Sequence, residues 1–222
     1  RFDSIQKIHF PQQHDELVHA KNRLKFEELF FLQLILLRAK VKREESVKGF
    51  IFGEVGQLFN TFYAQHLPFS LTEAQKRVMK EIRRDTGSGR QMNRLLQGDV
   101  GSGKTIVALM CMLLAADNGF QSVLMAPTEV LAMQHYKSIS ELLEGLDVRI
   151  AFLSGSITGN PRTEILESLA SGQTHILIGT HAVIEEWVEF ANLGLAITDE
   201  QHRFGVAQRA QMWTKSPDHP PH

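Results

Sequence analysis

Eight consecutive residues, Gly98 to Thr105, read GDVGSGKT and fit G-x-x-x-x-G-K-[ST], the spelling of a loop that cradles a polyphosphate. Gly98, Gly101 and Gly103 let the backbone curl with its N–H groups pointing inward, where a side chain would obstruct. Asp99, Val100 and Ser102 complete the cradle. Lys104 brings a point charge to the β- and γ-phosphates, and Thr105 offers a hydroxyl to Mg²⁺. The helix that must follow adds the positive end of its dipole. A nucleoside triphosphate is the expected ligand. A second constellation lies downstream, where residues 193–202 read LGLAITDEQH, a short apolar run ending in two acids. Sites of this kind that hydrolyse ATP place one carboxylate on the metal shell and a neighbour on the attacking water. Asp199 is the expected metal residue, acting through water, and Glu200 the residue that orients and activates the nucleophile. Acids after a strand serve equally well in a solvated loop or a helix cap. The glycine loop upstream is what favours the catalytic role.

These residues need a scaffold, and the hydrophobic pattern supplies one. Strand-like apolar runs alternate with helical ones in the manner of an open parallel sheet. Strands are predicted at Arg94–Leu96, Ser122–Ala126, Arg149–Leu153, His175–Gly179 and Leu193–Thr198. Helices are predicted from Ile106 to Ala116, from Glu129 to Leu143, and from Pro161 to about Ser171, the last with proline in its first turn. Asp85–Arg90 reads as a turn. The fold class is therefore α/β, with helices on both faces of the sheet. Before it lies a mainly helical segment, with one helix predicted from about Asp15 to Arg43. Composition places the boundary near residue 66, giving a prefix over 1–66 and the α/β domain over 67–222. The run Leu29–Leu37 is too apolar for a helix with one wet face, and Val47–Phe59 shows no clear pattern.

Composition sets limits. The chain has 222 residues, 43% hydrophobic and 22% charged, which suits a globular protein with a real core. No run is long enough to span a bilayer, so no membrane partner is expected. The one cysteine, Cys111, excludes internal disulfides and fits a reducing, cytoplasmic compartment. A net charge of −1 neither advertises nor excludes a nucleic-acid partner. Open α/β folds bind ligands where their strands end. There Pro127-Thr128, Gly155-Ser156 and Thr180-His181 offer small hydroxyls and free N–H groups suited to phosphate contacts that ignore sequence. The same threonines also suit helix caps.

The stretch Asp199 to Arg209, DEQHRFGVAQR, resembles motif II of superfamily 2 helicases, and more narrowly that of the RecG family of ATP-dependent DNA helicases. Three further segments agree in order: LPFSLTEAQ (Leu67–Gln75), APTEVLAMQH (Ala126–His135) and GTHAVI (Gly179–Ile184). The transcription-repair coupling translocases share RFGV but usually carry another residue where His202 stands. The resemblance implies a RecA-like P-loop NTPase lobe that uses ATP and Mg²⁺. It implies that Gln75, with Phe69 near it, contacts the nucleotide, and that Gln201 and His202 couple the γ-phosphate state to the DNA-facing surface. It favours DNA contact at Pro127, Thr128, Gly155, Ser156, Thr180 and His181. Arg203, Phe204, Gln208 and Arg209 would reach either DNA or a second motor lobe.

The resemblance further implies an enzyme that remodels stalled forks and branched DNA in recombination and repair. Its partners would be forked or branched duplex DNA, a second RecA-like lobe bearing arginine fingers, and an N-terminal fork-binding domain. Residues 1–66 would then be a connector, or else a plain helical prefix to the motor. No motif III or second lobe follows Arg209, so the chain reads as the first lobe of a longer protein, incomplete at its C-terminus. Two other readings stay open: a transcription-repair translocase, and a nucleotide-binding module that signals without turnover, which would have no need of Glu200.

Overall fold

The computed structural model describes residues 2–216 and 219–222, with the side chains of all of these but 43–46, 206 and 209. Two compact units divide at Ser46/Val47. In the first, α1 (Phe2–His9) precedes α2 (His14–Ser46), a helix of 33 residues that contains the predicted Asp15–Arg43. Apolar side chains encircle α2, and Phe26, Leu29, Phe31, Ile35 and Leu37 are all exposed. None of the helices among the described residues is long and apolar enough to cross a membrane.

The second unit opens with an extended run, then α3 (Gln57–Thr61), a π-helical turn (Phe62–His66), α4 (Glu73–Thr86) and α5 (Lys104–Asp117). There follow β1 (Gln121–Met125), α6 (Glu129–Leu142), β2 (Ile150–Leu153), α7 (Asn160–Ala170) and β3 (Ile176–Gly179). A 3-10 turn (His181–Ile184), β4 (Leu193–Thr198), a second 3-10 turn (Gln201–Arg203) and α8 (Val206–Trp213) complete it. All strand pairs are parallel, in the order β2-β3-β1-β4.

Alternating residues divide between the two faces of the sheet. Leu124, Ile176, Ile178 and Leu195 pack with Met79 and Ile82 of α4, the apolar side chains of α5, and Ile139 of α6. Val123, Met125, Leu177 and Leu193 pack on the opposite face with Leu169 of α7, Val183 and Met212 of α8. Nine of the 14 residues of α5 are buried, which is why its sequence shows no polar face.

Two expectations need correction. The predicted strand Arg94–Leu96 forms no strand, and Leu95 is exposed. The edge of β4 away from β1 pairs instead with His222, whose carbonyl accepts from Ala196 N–H (2.8 Å) and whose N–H donates to Gly194 (2.9 Å). Just before the predicted strand, Met92 N–H donates to the His222 ring at Nδ1 (2.9 Å), and Arg90 forms an isolated antiparallel bridge with Lys48. The boundary expected at 66 falls at Ser46/Val47 instead, because residues 47–66 belong to the core of the second unit. Phe52 and Phe62 are buried there. Asp117, at the end of α5, accepts from Leu58 N–H (2.9 Å) and Phe59 N–H (3.0 Å), capping α3. Asn118 exchanges hydrogen bonds with the backbone of Glu54.

Candidate functional site

The strand register aligns the site. Leu153 of β2 stands beside Gly179 of β3, Gly179 beside Met125 of β1, and Met125 beside Thr198 of β4. Four chain segments therefore leave the carboxyl edge of the sheet in one row: Ser154–Ser156, Thr180-His181, Ala126–Thr128 and Asp199–His202. The glycine loop faces the same edge. The C-terminus of α5 joins the amino end of β1 through a short turn. A helix of 14 residues spans roughly 21 Å, so packing back along the sheet carries its first residue to the carboxyl edge.

In the loop, Gly101 and Gly103 have φ of 78° and 77°, a left-handed backbone that a side chain would oppose. A Cβ on Gly103 would also lie 2.4 Å from Gln75 Nε2. Ser102 N–H donates to Asp99 (3.2 Å), and Val100 is fully exposed at the tip. Lys104 reaches back across the loop and donates from Nζ to the carbonyls of Gly98 and Asp99, at 2.8 Å each. This holds its charge over the curl of backbone. Thr105 is the second residue of α5 and half-buried.

Gln75 has a structural role that the resemblance did not supply. Thr72 caps α4 by accepting from Gln75 N–H (3.2 Å), while Gln75 Oε1 accepts from Thr72 N–H (2.9 Å) and its Nε2 donates to Ser102 O (2.9 Å). The Thr-x-x-Gln capping box was legible in the sequence and marks a helix that the hydrophobic pattern did not reveal. Phe69, about half exposed, lies near Gly103: its ring would meet a Cβ there at 3.8 Å.

At the end of β4, Asp199 continues the sheet pairing through N–H to Met125 O (2.9 Å). Its Oδ1 accepts from Glu200 N–H (3.0 Å), and its Oδ2 lies 2.9 Å from His135 Nε2 on α6. Glu200 is the only non-glycine residue with positive φ among those described, at φ 50° and ψ 46°. Backbone of that kind is costly and clusters at functional sites. Its carboxylate lies 3.4 Å from His202 Nε2, and both side chains are largely exposed. Gln201 opens the 3-10 turn. Mg²⁺ usually takes one or two protein ligands and fills its shell with water and phosphate oxygens. One hydroxyl, Thr105, and one carboxylate, Asp199, fit that demand.

Among the other strand-end residues, Thr128 caps α6, accepting from Leu131 N–H at 3.3 Å. Ser156 donates to Glu129 Oε1 (2.5 Å) and hydrogen-bonds to Ser154 (2.8 Å), while Gly155 is exposed with open space where a Cβ would stand. Pro127 is half-buried and His181 exposed. Thr180 is only 5% exposed and makes no side-chain cap, so little of it can be reached from solvent. Gln208 accepts from Gly205 N–H (3.1 Å) at the start of α8, and the Arg209 side chain lies outside the described residues.

A parallel sheet whose carboxyl edge carries a loop spelled G-x-x-x-x-G-K-T and a pair of acids is the architecture of a P-loop lobe. Residues 72–218 match the family of the DEAD/DEAH box helicases, and the chain belongs to that family. It is 46% identical to the ATP-dependent DNA helicase RecG of Synechocystis, over 96% of this chain and 25% of that protein. It is 45% identical to RecG of Thermotoga maritima (96% and 27%) and 43% identical to RecG of Bacillus subtilis (98% and 32%). The chain thus spans between a quarter and a third of the length of these relatives. A solved structure of RecG bound to a three-way DNA junction superposes with a TM-score of 0.81 at 45% identity, covering 91% of this chain and 27% of that one. The DUF1998 helicase MrfA shares the fold at a TM-score of 0.53 and 18% identity, over 68% of this chain and 24% of that one. The architecture is that of a RecA-like helicase lobe.

Proposed function

We propose that this chain is the first motor lobe of a RecG-type ATP-dependent DNA helicase, an enzyme that works on forked and branched duplex DNA in recombination and repair in the cytoplasm. The observation that carries this reading is the single row of strand ends. Asp199 and Glu200 leave the sheet in the same row as the small, hydroxyl-rich segments, which supports a reading that joins hydrolysis to a grip on a phosphate backbone. The RecG relatives are named as ATP-dependent DNA helicases, and one of them was solved on a three-way junction. These support the DNA class.

Gly98–Thr105 would wrap the triphosphate, with Lys104 on the β- and γ-phosphates and Gln75 and Phe69 at the nucleotide's edge. Thr105 and Asp199 would hold Mg²⁺, which would supply neutralisation of the triphosphate's charge. Glu200 would accept the proton of the attacking water, and its displaced backbone presents the carboxylate clear of the strand. Gln201 and His202 would report the state of the γ-phosphate. Pro127, Thr128, Gly155, Ser156 and His181 would meet DNA phosphates, with Thr180 contributing mainly through its place in the backbone. A second RecA-like lobe would add arginine fingers, which contribute about 10³–10⁵-fold in related enzymes. An N-terminal domain would engage the fork, with the first unit, up to Ser46, connecting it to the motor.

In the full-length enzyme, branched DNA should stimulate ATP turnover strongly. Glu200→Gln should suppress that turnover while leaving nucleotide binding intact, and Lys104→Ala should weaken binding itself. Normal DNA-stimulated turnover by Glu200→Gln would remove Glu200 from its assigned role. Equal ATP affinity in Lys104→Ala, measured by calorimetry, would remove the phosphate loop.

A further inference from the structure

His135 belongs to no part of the site described so far, yet it touches the metal-side acid. It sits on α6 in a stripe with Thr128, Ala132 and Ile139, whose spacings of four, three and four residues keep them on one helix face. Ala132 and Ile139 are fully buried, and Tyr136 packs against Phe152, so this part of α6 is fixed against the sheet. The His135 side chain is 18% exposed and the Asp199 side chain 35%, with Nε2 and Oδ2 2.9 Å apart. An ionised carboxylate has no proton to give, so Nε2 carries the hydrogen and donates it. Asp199 Oδ1 is already taken by Glu200 N–H. The two bonds fix the carboxylate plane from opposite oxygens and leave its remaining lone pairs for a metal-bound water.

We propose that His135 is a positioning residue. It orients the Asp199 carboxylate toward the Mg²⁺ shell and ties that carboxylate to α6, the helix that Thr128 caps at the proposed DNA-facing edge. A shift of α6 driven by its N-terminal contacts would then be felt at Asp199 through one hydrogen bond. The inference rests on the reading above, in which Asp199 serves the metal. Outer-shell hydrogen bonds of this kind commonly change metal affinity or activity by about 10–100-fold.

The test uses the full-length enzyme with a non-hydrolysable ATP analogue and Mn²⁺ in place of Mg²⁺, free Mn²⁺ being read by electron paramagnetic resonance. His135→Phe keeps the bulk and loses the donor; His135→Gln restores an N–H at nearly the same reach. His135→Phe should weaken Mn²⁺ binding about tenfold and lower DNA-stimulated ATP turnover more than basal turnover, while His135→Gln stays within about threefold of the parent. Thermal melting of each variant separates this effect from misfolding. If His135→Phe binds Mn²⁺ like the parent while Asp199→Asn binds it weakly, the inference is overturned. If His135→Gln is as damaged as His135→Phe, the donated hydrogen bond is not what matters, and the inference fails again. If Asp199→Asn itself leaves Mn²⁺ binding unchanged, the prior assignment of Asp199 has failed, a pattern distinct from either.

Discussion

Glu200 holds a left-handed backbone, at φ 50° and ψ 46°, and this leads to a prediction about stability whose sign is opposite to the usual one. For an L-residue with a Cβ, that conformation costs about 1–2 kcal/mol, and glycine escapes the cost. Glycine loses more chain entropy on folding, worth roughly 0.5–1 kcal/mol against alanine. At this one position the first effect meets or exceeds the second. Glu200→Gly should therefore be more stable than Glu200→Ala, by about 0–1.5 kcal/mol. At an ordinary helical or extended position, glycine would be the less stable of the two by roughly 0.5–1 kcal/mol. Comparing the two variants with each other cancels the lost carboxylate, its contact with His202 at 3.4 Å, and any repulsion from Asp199.

The assay is thermal or urea unfolding of both variants under one set of conditions. For a chain of this size 1 kcal/mol moves the midpoint by about 2–4 °C, well within measurement. On the role proposed for Glu200, both variants of the full-length enzyme should lose ATP turnover. A Glu200→Ala protein more stable than Glu200→Gly would refute the strained backbone. It would also remove the argument that the strand end stores strain in order to aim the carboxylate.

Three further outcomes are expected. Gly103→Ala places a Cβ in a left-handed backbone and 2.4 Å from Gln75 Nε2, so it should lower stability by roughly 1–2 kcal/mol and weaken nucleotide binding; a variant with unchanged urea midpoint and ATP affinity would sink the loop geometry. Burial pushes the Cys111 thiol up to about 12, so a maleimide at pH 8 should label it only after unfolding, and fast labelling of native protein would contradict the packing of α5. Burial holds the His222 ring below its ordinary 6.5, outweighing the raising effects of its bond to Phe50 O and of Asp85. The folded state thus binds fewer protons than the unfolded one. This contribution to stability is complete above pH 6.5, declines as pH falls below it, and levels off beneath the depressed folded value. His222→Asn should flatten that part of the pH–stability curve, and an unchanged slope would show that other groups cause it.

Where the sequence could be read, the information was local. Leu193–Thr198 was predicted as a strand with the bounds it has, and the runs behind β1, β2 and β3 were each placed within a residue, because strands buried on both faces read as continuous apolar stretches. The glycine loop and the Asp199-Glu200 pair stood out for the same reason: each is one short segment whose residue types are spelled in order. What escaped depended on partners far along the chain. Arg94–Leu96 has the composition of a strand but joins no sheet among the described residues, and on the free side of β4 Gly194 and Ala196 bond to His222 instead. Val47–Phe59 showed no clear pattern, and there Glu54, Leu58 and Phe59 are held by Asn118 and Asp117 at the far end of α5. His135 lay inside APTEVLAMQH, but the side chain it meets is 64 positions away.

The aim of Asp199 shows how the core and the site are one problem. Leu193 packs on the α7 side of the sheet, yet Leu195 packs on the α5 side. A strict two-residue alternation would have put both on the same face. The change comes from a shift in the pairing of β4 with β1 between Gln121 and Ser122, where Gly194 is passed over. A Cβ on Gly194 would lie 2.6 Å from Phe120 Cβ, so only glycine fits at that step. From Leu195 onward the alternation runs undisturbed through Ile197, which also packs on the α5 side, to Asp199. That parity turns the carboxylate toward the face where α5 and α6 lie, and His135 of α6 meets it there. Had β4 kept the register set at Leu193, Asp199 would point to the opposite face, away from His135 of α6. The burial of Leu195 and Ile197 therefore stabilises the orientation of the acid as much as the sheet itself.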